Sequence, residues 1–441
     1  MPSPAPFRRV VAAMLAGVFG QTLAAEPGAF TATLEAHAAL PAQSFVPAPS
    51  DAPALFAMSG RFTGGAREEA LYGLHDPATG LARPFPSLAL QGFSGIKSLG
   101  GDRFLVLTDN GFGARANSVD ALLMFSILEA DWEAGRLVPE RTVFLSDPDR
   151  VVPFPIATEA TETRYLTGAD FDPESIQPVG DGYWIGDEFG PWLLEVDSAG
   201  VVRRVVATAP GGDLVRSPDN AFVATPDPGA DLPEEVVVKR SGGFEGMALS
   251  PDGRTLYPLL EKPLFDPATG GPETIAGRPV LRMLEFDGLT GAWGDALRYY
   301  PLEDAGHAIG DVNIVEGTRA LVIERDGGQG DPREGWAERP AEFKRIYLVD
   351  LARTDAAGVL EKIAYIDLMS IADPEGVAPR GTIDGVFAFP FVTIENVDRV
   401  DADRIVVAND NNYPFSVGRQ QGRADDTEMI LLEVGDFLDA E

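Results

Sequence analysis

The chain has 441 residues, 45% of them hydrophobic, with 35 basic and 68 acidic side chains, a formal net charge of -33 and no cysteine. That apolar content supports a buried core and excludes a disordered chain, while the acidity excludes binding of nucleic acid or anionic lipid through a general basic surface. The absence of thiols excludes a disulfide framework and a thiolate metal site, and a domain this large folds without either.

At the N-terminus Arg8 and Arg9 precede the apolar stretch "VVAAMLAGVFGQTLA", followed by Ala24 and Ala25. This is the pattern of a secretory signal over residues 1–25, and it is short of the roughly 20 apolar residues that a membrane span requires. The reading is an exported protein, periplasmic or secreted, without stable membrane insertion after cleavage. Residues 26–50 read as an N-terminal extension and 51–441 as one domain.

Along that domain one pattern recurs, in "FSGIKSLGGDRFLVLTDNG" from Phe93, "PESIQPVGDGYWIGDEFG" from Pro173, "FEGMALSPDGRTLYPLLEK" from Phe244, "IGDVNIVEGTRALVIERD" from Ile309 and "IENVDRVDADRIVVANDN" from Ile394. Each begins with a polar or acidic residue (Ser94, Glu174, Glu245, Asp311, Glu395), continues through two apolar segments about a turn, and ends in a polar cluster. Asp252-Gly253 and Asp181-Gly182 supply turn chemistry for hairpins. Further strands follow in "MFSILEAD", "WLLEVDSAG", "RMLEFDGLTG", "RIYLVDLA" and "MILLEVGD". Recurrence of a short antiparallel unit predicts an all-β fold, a β-propeller with long inter-strand insertions. Five units are readable, and a sixth blade is expected from the N-terminal "ALFAMSGRFTGG…ALYGLHD" joined by a strand from the other end of the chain. The Pro- and Gly-rich "APGGDLVRSPDNAFVATPDPGADLPEE" reads as an inserted loop.

In a blade the first strand lines the channel, so residues at strand ends converge on one axis. The expected metal ligands are therefore Glu174, Asp187, Glu188, Glu245, Glu261, Glu324 and Asp410. An oxygen-only set suits calcium, or another divalent cation that prefers oxygen. Zinc is disfavoured, because the only histidines are His37, His75 and His307, none in a metal-spaced pair. Lys262 and Arg325 interrupt the acids at corresponding places and suit recognition of phosphate oxygens. The chain has no G-x-S-x-G elbow, which argues against a serine nucleophile. His307 reads as a loop residue rather than a general acid.

The motifs "FSGI…LTDNG", "DPESI…GDEFGPWLLEVD", "VRSPDNAF", "GGFEGMALSPDG…LYPLLEK", "LVIERD…KRIYLVDL" and "ANDNNYPFS", in this order, resemble the phytase-like family described by an esterase-like activity of phytase. The resemblance implies an exported propeller-like domain acting in phosphoester or phosphodiester hydrolysis. The function expected is calcium-dependent hydrolysis of a small-molecule phosphate ester at the channel mouth, with Glu188, Glu261, Lys262 and Arg325 as the catalytic set. Alternatives are a metal-dependent lactonase or carboxylesterase, and a non-catalytic calcium-stabilised propeller that binds a ligand or partner.

Overall fold

The computed structural model describes residues 26–224, 233–266 and 269–441. The signal assigned to residues 1–25 lies outside them, as does part of the Pro- and Gly-rich insertion. The fold is a β-propeller of short antiparallel strands arranged about an axis.

The first blade is formed by Phe93–Gly100, Arg103–Thr108, Met124–Asp131 and Arg136–Phe144, and the second by Pro173–Val179, Gly182–Asp187, Trp192–Asp197 and Val202–Ala207. The third is built on Phe244–Leu249, Thr255–Leu260, Arg278–Met283 and Arg298–Pro301. The fourth runs Ala308–Glu316, Arg319–Arg325, Lys344–Thr354 and Leu360–Asp367. Thr393–Arg399, Arg404–Asp410 and Thr427–Glu433 begin the fifth, and Thr33–Leu40 completes it as an antiparallel partner of Thr427–Glu433.

The first strands of the five blades neighbour one another in a closed cycle, which corrects the expectation of six. A strand from the far end of the sequence does close the ring, but it comes from the stretch read as an N-terminal extension and enters the fifth blade. The segment expected to form a sixth blade contains only a 3-10 turn, Ala54–Ala57, and the two-residue strand Leu74–His75. Its Gly and charged residues interrupt any longer alternation of apolar and polar positions.

Period-2 alternation explains the packing. On the second strand of the fourth blade, Ala320 and Val322 pack towards the third blade, while Leu321 and Ile323 pack towards the fifth. Every neighbouring pair of blades shares a core of this kind. Each fully buried Leu, Ile, Val or Phe contributes about 1.5–3 kcal/mol, so the ring is held by its inter-blade layers. Glycine allows the inner strands to approach: a Cβ on Gly246 would lie 2.6 Å from the Val312 nitrogen, and one on Gly310 would lie 1.9 Å from the Ile394 oxygen. Asp252-Gly253 turns as expected, with Gly253 at φ 72°. In the second blade the turn is one residue earlier, at Gly180-Asp181, since Val179 already pairs with Gly182.

Candidate metal centre in the channel mouth

Every blade carries a bulge near the start of its first strand, between Phe93 and Ile96, Pro173 and Ser175, Phe244 and Gly246, Ile309 and Asp311, and Ile394 and Asn396. A bulge re-aims the extra side chain. The residues so placed are Ser94, Glu174, Glu245, Gly310 and Glu395. The second strands supply another ring, Asp109, Glu188, Glu261, Arg325 and Asp410, at or just past their ends.

These two rings meet on the axis. Carboxylate oxygens of Glu174, Glu245 and Glu395, from three different blades, lie within 4.8 Å of one another. The same holds for Glu188, Glu245 and Glu261, and for Asp172, Glu174 and Glu188. Arg325 reaches across from the fourth blade, with Nη2 2.9 Å from Glu395, 3.4 Å from Glu261 and 3.6 Å from Glu245. Lys262 pairs with Glu261. Ser94 Oγ donates to Glu395 Oε2 at 2.9 Å, and Asn110 Nδ2 donates to Asp172 Oδ2 at 2.7 Å.

Four of the expected ligands, Glu174, Glu188, Glu245 and Glu261, are thus brought together, with Lys262 and Arg325 beside them. Asp410 lies at the same mouth, close enough to Glu395 and Asp109 to feel their charge. Two expected ligands are corrected. Glu324 immediately precedes Arg325 on one strand, so alternation sends it to the opposite face. There it accepts from Tyr300 Oη at 2.9 Å and Lys362 Nζ at 2.7 Å, and meets His307 Nδ1 at 2.9 Å. His307 lies in the loop before Ala308–Glu316, as expected, and from there its ring meets this buried carboxylate. Asp187 precedes Glu188 in the same way, and its oxygens are occupied by the backbone amides of Asp172 at 2.8 Å and Gly190 at 2.7 Å. Asp311 is also one position past the bulge: its carboxylate accepts the amides of Val312 at 2.7 Å and Val397 at 2.9 Å, fastening two blades. Asp172, Glu395 and Asp109 were absent from the expected ligand set, although the repeat register places Glu395 and Asp109 in the same rings as the others.

Burial, with neighbouring carboxylates, raises Glu174, Glu188 and Glu245 well above the usual range. Asp410 is pushed up to about 8 by burial and by Glu395, and Asp172 to about 6 chiefly by burial. Such a set is relieved by protons or by cations. Glu245 Oε1 is buried without a hydrogen-bond partner, while Glu261 Oε2 is held by Lys262 Nζ. Oxygen-only donors with an unsatisfied buried oxygen on Glu245 fit a hard divalent cation.

The channel is polar at its other end too, but differently. Lys97 Nζ donates to Asn313 and Asp398 at 2.9 Å each, and Gln177 donates to Asn313 at 2.8 Å, filling the axis with paired groups. A groove of about 820 Å³ runs between the third and fourth blades, lined in part by Arg278, Glu303, Arg353 and Lys362, none of them a residue of the acidic cluster.

The channel mouth of this propeller thus holds a buried oxygen-only cluster, with one guanidinium among the acids, that could hold a metal ion. Residues 88–413 match the model of the Phytase-like family, described as "Esterase-like activity of phytase", and the chain belongs to that family. The family places it among hydrolases in general. An "Uncharacterized secreted protein" of Arthroderma benhamiae is 34% identical over 125 residues, covering 26% of this chain and 24% of that protein, so the chain spans about a quarter of that relative's length. Among solved structures, a luciferin-regenerating enzyme is 11% identical over 77% of each chain with a TM-score of 0.33. A putative oxidoreductase (glucose dehydrogenase) from Thermus thermophilus is 13% identical, over 82% of this chain and 98% of its own, with a TM-score of 0.31. A protein of unknown function from Dyadobacter fermentans is 11% identical, over 79% and 96%, with a TM-score of 0.36. Among the described residues no helix is long and apolar enough to cross a membrane.

Proposed function

We propose that this chain is an exported, divalent-cation-dependent hydrolase of small phosphate esters, with calcium as the cation. The observation that carries the reading is the convergence of Glu174, Glu245 and Glu395 from three blades onto one point beside Arg325. Glu174, Glu188, Glu245, Glu261, Glu395 and Asp172 would hold the cation, and Asp410 contributes negative charge at the rim. The cation, when bound, supplies positive charge to phosphoryl oxygens and acidifies water.

Arg325 is nearly buried and already fixed by three carboxylates, so its guanidinium meets a phosphoryl group without losing side-chain freedom at that moment. Lys262, whose side chain is 30% exposed, provides a second donor at the solvent side of the mouth. Glu261, held on one side by Lys262, accepts the proton of the attacking water, and Glu188, within the same cluster, is the alternative acceptor. The acidic channel repels free anions, which makes local cations necessary for any phosphate to enter.

Hydrolysis of a phosphomonoester, a phosphodiester and a carboxylester by the purified protein, with calcium and with chelator, tests this reading. Phosphate-ester turnover abolished by chelator is expected; turnover indifferent to chelator would refute the cation's role. The "esterase-like" description of the family favours carboxylic esters as the second substrate class, and turnover of these alone would replace phosphate esters in the assignment.

A further inference from the structure

Beside the channel mouth, the hairpin of Leu74–His75 and Ala82–Arg83 carries an arginine with an unusual environment. Arg83 is 9% exposed, and its Nε and Nη1 are buried with no hydrogen-bond partner. The nearest carboxylate, Asp76, is 3.9 Å from Nη2, beyond hydrogen-bond distance. Tyr413, 3% exposed, likewise has a buried hydroxyl without a partner. Arg83 and Tyr413 are brought to one place by their sequence neighbours, Phe85 packing on the Tyr413 ring and Phe415 on the Arg83 guanidinium. Phe415 lies 5.4 Å from the guanidinium, and Tyr72 and Phe415 are exposed at 50% and 39%.

The place is tied to the acids by short stretches of chain. Tyr413 follows Asp410 by three residues, and Phe112 follows Asp109 by three. Phe85, two residues after Arg83, stacks between them, with centroids 4.9 Å from Tyr413 and 6.1 Å from Phe112. A buried guanidinium with orphaned donors is costly unless an acceptor completes it. Two N–H groups of one guanidinium and a phenolic O–H form a donor set that suits an oxyanion. The exposed Phe415 ring lies over the guanidinium, and the Tyr72 amide donates to the Pro84 carbonyl next to it.

We infer that Arg83 and Tyr413 form an anion-binding subsite beneath Tyr72 and Phe415, taking a phosphate or carboxylate group at the rim between the first and fifth blades. This goes beyond the hydrolytic reading and does not depend on it. The test is titration of inorganic phosphate into the full protein in chelator, followed by calorimetry and by the Arg83 Nε–H resonance. Binding is expected, weakened at least tenfold in Arg83→Gln and severalfold in Tyr413→Phe, and unchanged within twofold in Lys262→Gln. Melting curves establish that each variant is folded; if Arg83→Gln is not, Tyr413→Phe and the wild-type resonance shift decide. Absence of phosphate binding, or a loss that follows Lys262 instead of Arg83, would overturn the inference, as would a crystal structure grown in phosphate with only water on these donors. Where binding holds, a bis-phosphorylated and a mono-phosphorylated substrate separate the sources: a KM raised by Arg83→Gln for the former alone assigns the subsite to a substrate group, and equal effects assign it to free anion.

Discussion

Replacing Glu245 with glutamine should reverse its effect according to whether a cation is present. Glu245 belongs to two of the three carboxylate groups, its Oε1 has no hydrogen-bond partner, and Glu395, Glu261 and Glu188 all raise its pKa beyond what burial does. In chelator, Glu245→Gln removes the cost of burying a carboxyl group that must either carry charge among other acids or take up a proton on folding, while Arg325 keeps Glu261 and Glu395 as partners, so the variant should be more stable by about 1–2 kcal/mol. With calcium at a hundredfold excess over its dissociation constant, the wild type gains about 2.7 kcal/mol. An unfolding entropy of about 2.1 cal/mol/K per residue over roughly 400 residues makes 1 kcal/mol worth about 1.2 °C of Tm. Wild type should therefore melt about 3 °C higher with calcium, and Glu245→Gln should melt about 1–2 °C higher than wild type in chelator and respond little to calcium. Differential scanning calorimetry of both proteins in both buffers provides the comparison. A variant that is less stable in chelator yet keeps the full calcium shift would refute the shared centre.

Other outcomes follow from the same geometry. Arg325→Met leaves three buried glutamates without their guanidinium and should cost about 3–5 kcal/mol in chelator, much of it recovered by calcium, as denaturant titrations would reveal. Glu324→Gln should destabilise by about 2 kcal/mol by weakening charged hydrogen bonds to Lys362 and leaving it Glu303 as its remaining carboxylate, while calcium affinity stays within twofold of wild type; a large loss of affinity would return Glu324 to the centre. The pH dependence has a defined sign. Asp172, Asp187 and Asp410 have folded pKa values raised to about 6, 7 and 8 from 3.8, so between pH 4 and 8 the cation-free fold holds protons that the unfolded chain has lost. Stability in chelator should accordingly fall as pH rises through that window, and calcium should flatten the slope; a Tm that rises from pH 5 to pH 8 in chelator would contradict this.

The repeat was legible because each unit restates the same local grammar: a bulge residue, two apolar segments about a turn, and a closing polar cluster. Glu174, Glu188, Glu245 and Glu261 could be placed from that grammar alone. Glu324 and Asp187 could not, since adjacent acids in "DE" and acid-arginine pairs in "ER" differ only in which face of a strand they take, and one residue of register decides it. The same ambiguity made Asp311 look like a leading acid, although Gly310 holds that register and its neighbour's backbone leaves no room for a side chain. The blade count failed for another reason. Thr33–Leu40 pairs with a strand almost the whole chain away, and no local pattern announces such a partner.

That closing pair governs how the molecule must fold. Two of the five inter-blade cores include fifth-blade residues that exist only once Thr427–Glu433 has been made, so Thr33–Leu40, near the start of the chain, has to wait for its main partner near the end. Contacts of such long sequence separation slow folding, and until they form the open ring displays unpaired strand edges that invite association with other chains. Loss of the segment from Thr427 onward should therefore be felt as poor yield and aggregation of the newly made protein well before it is felt as a defect in any site.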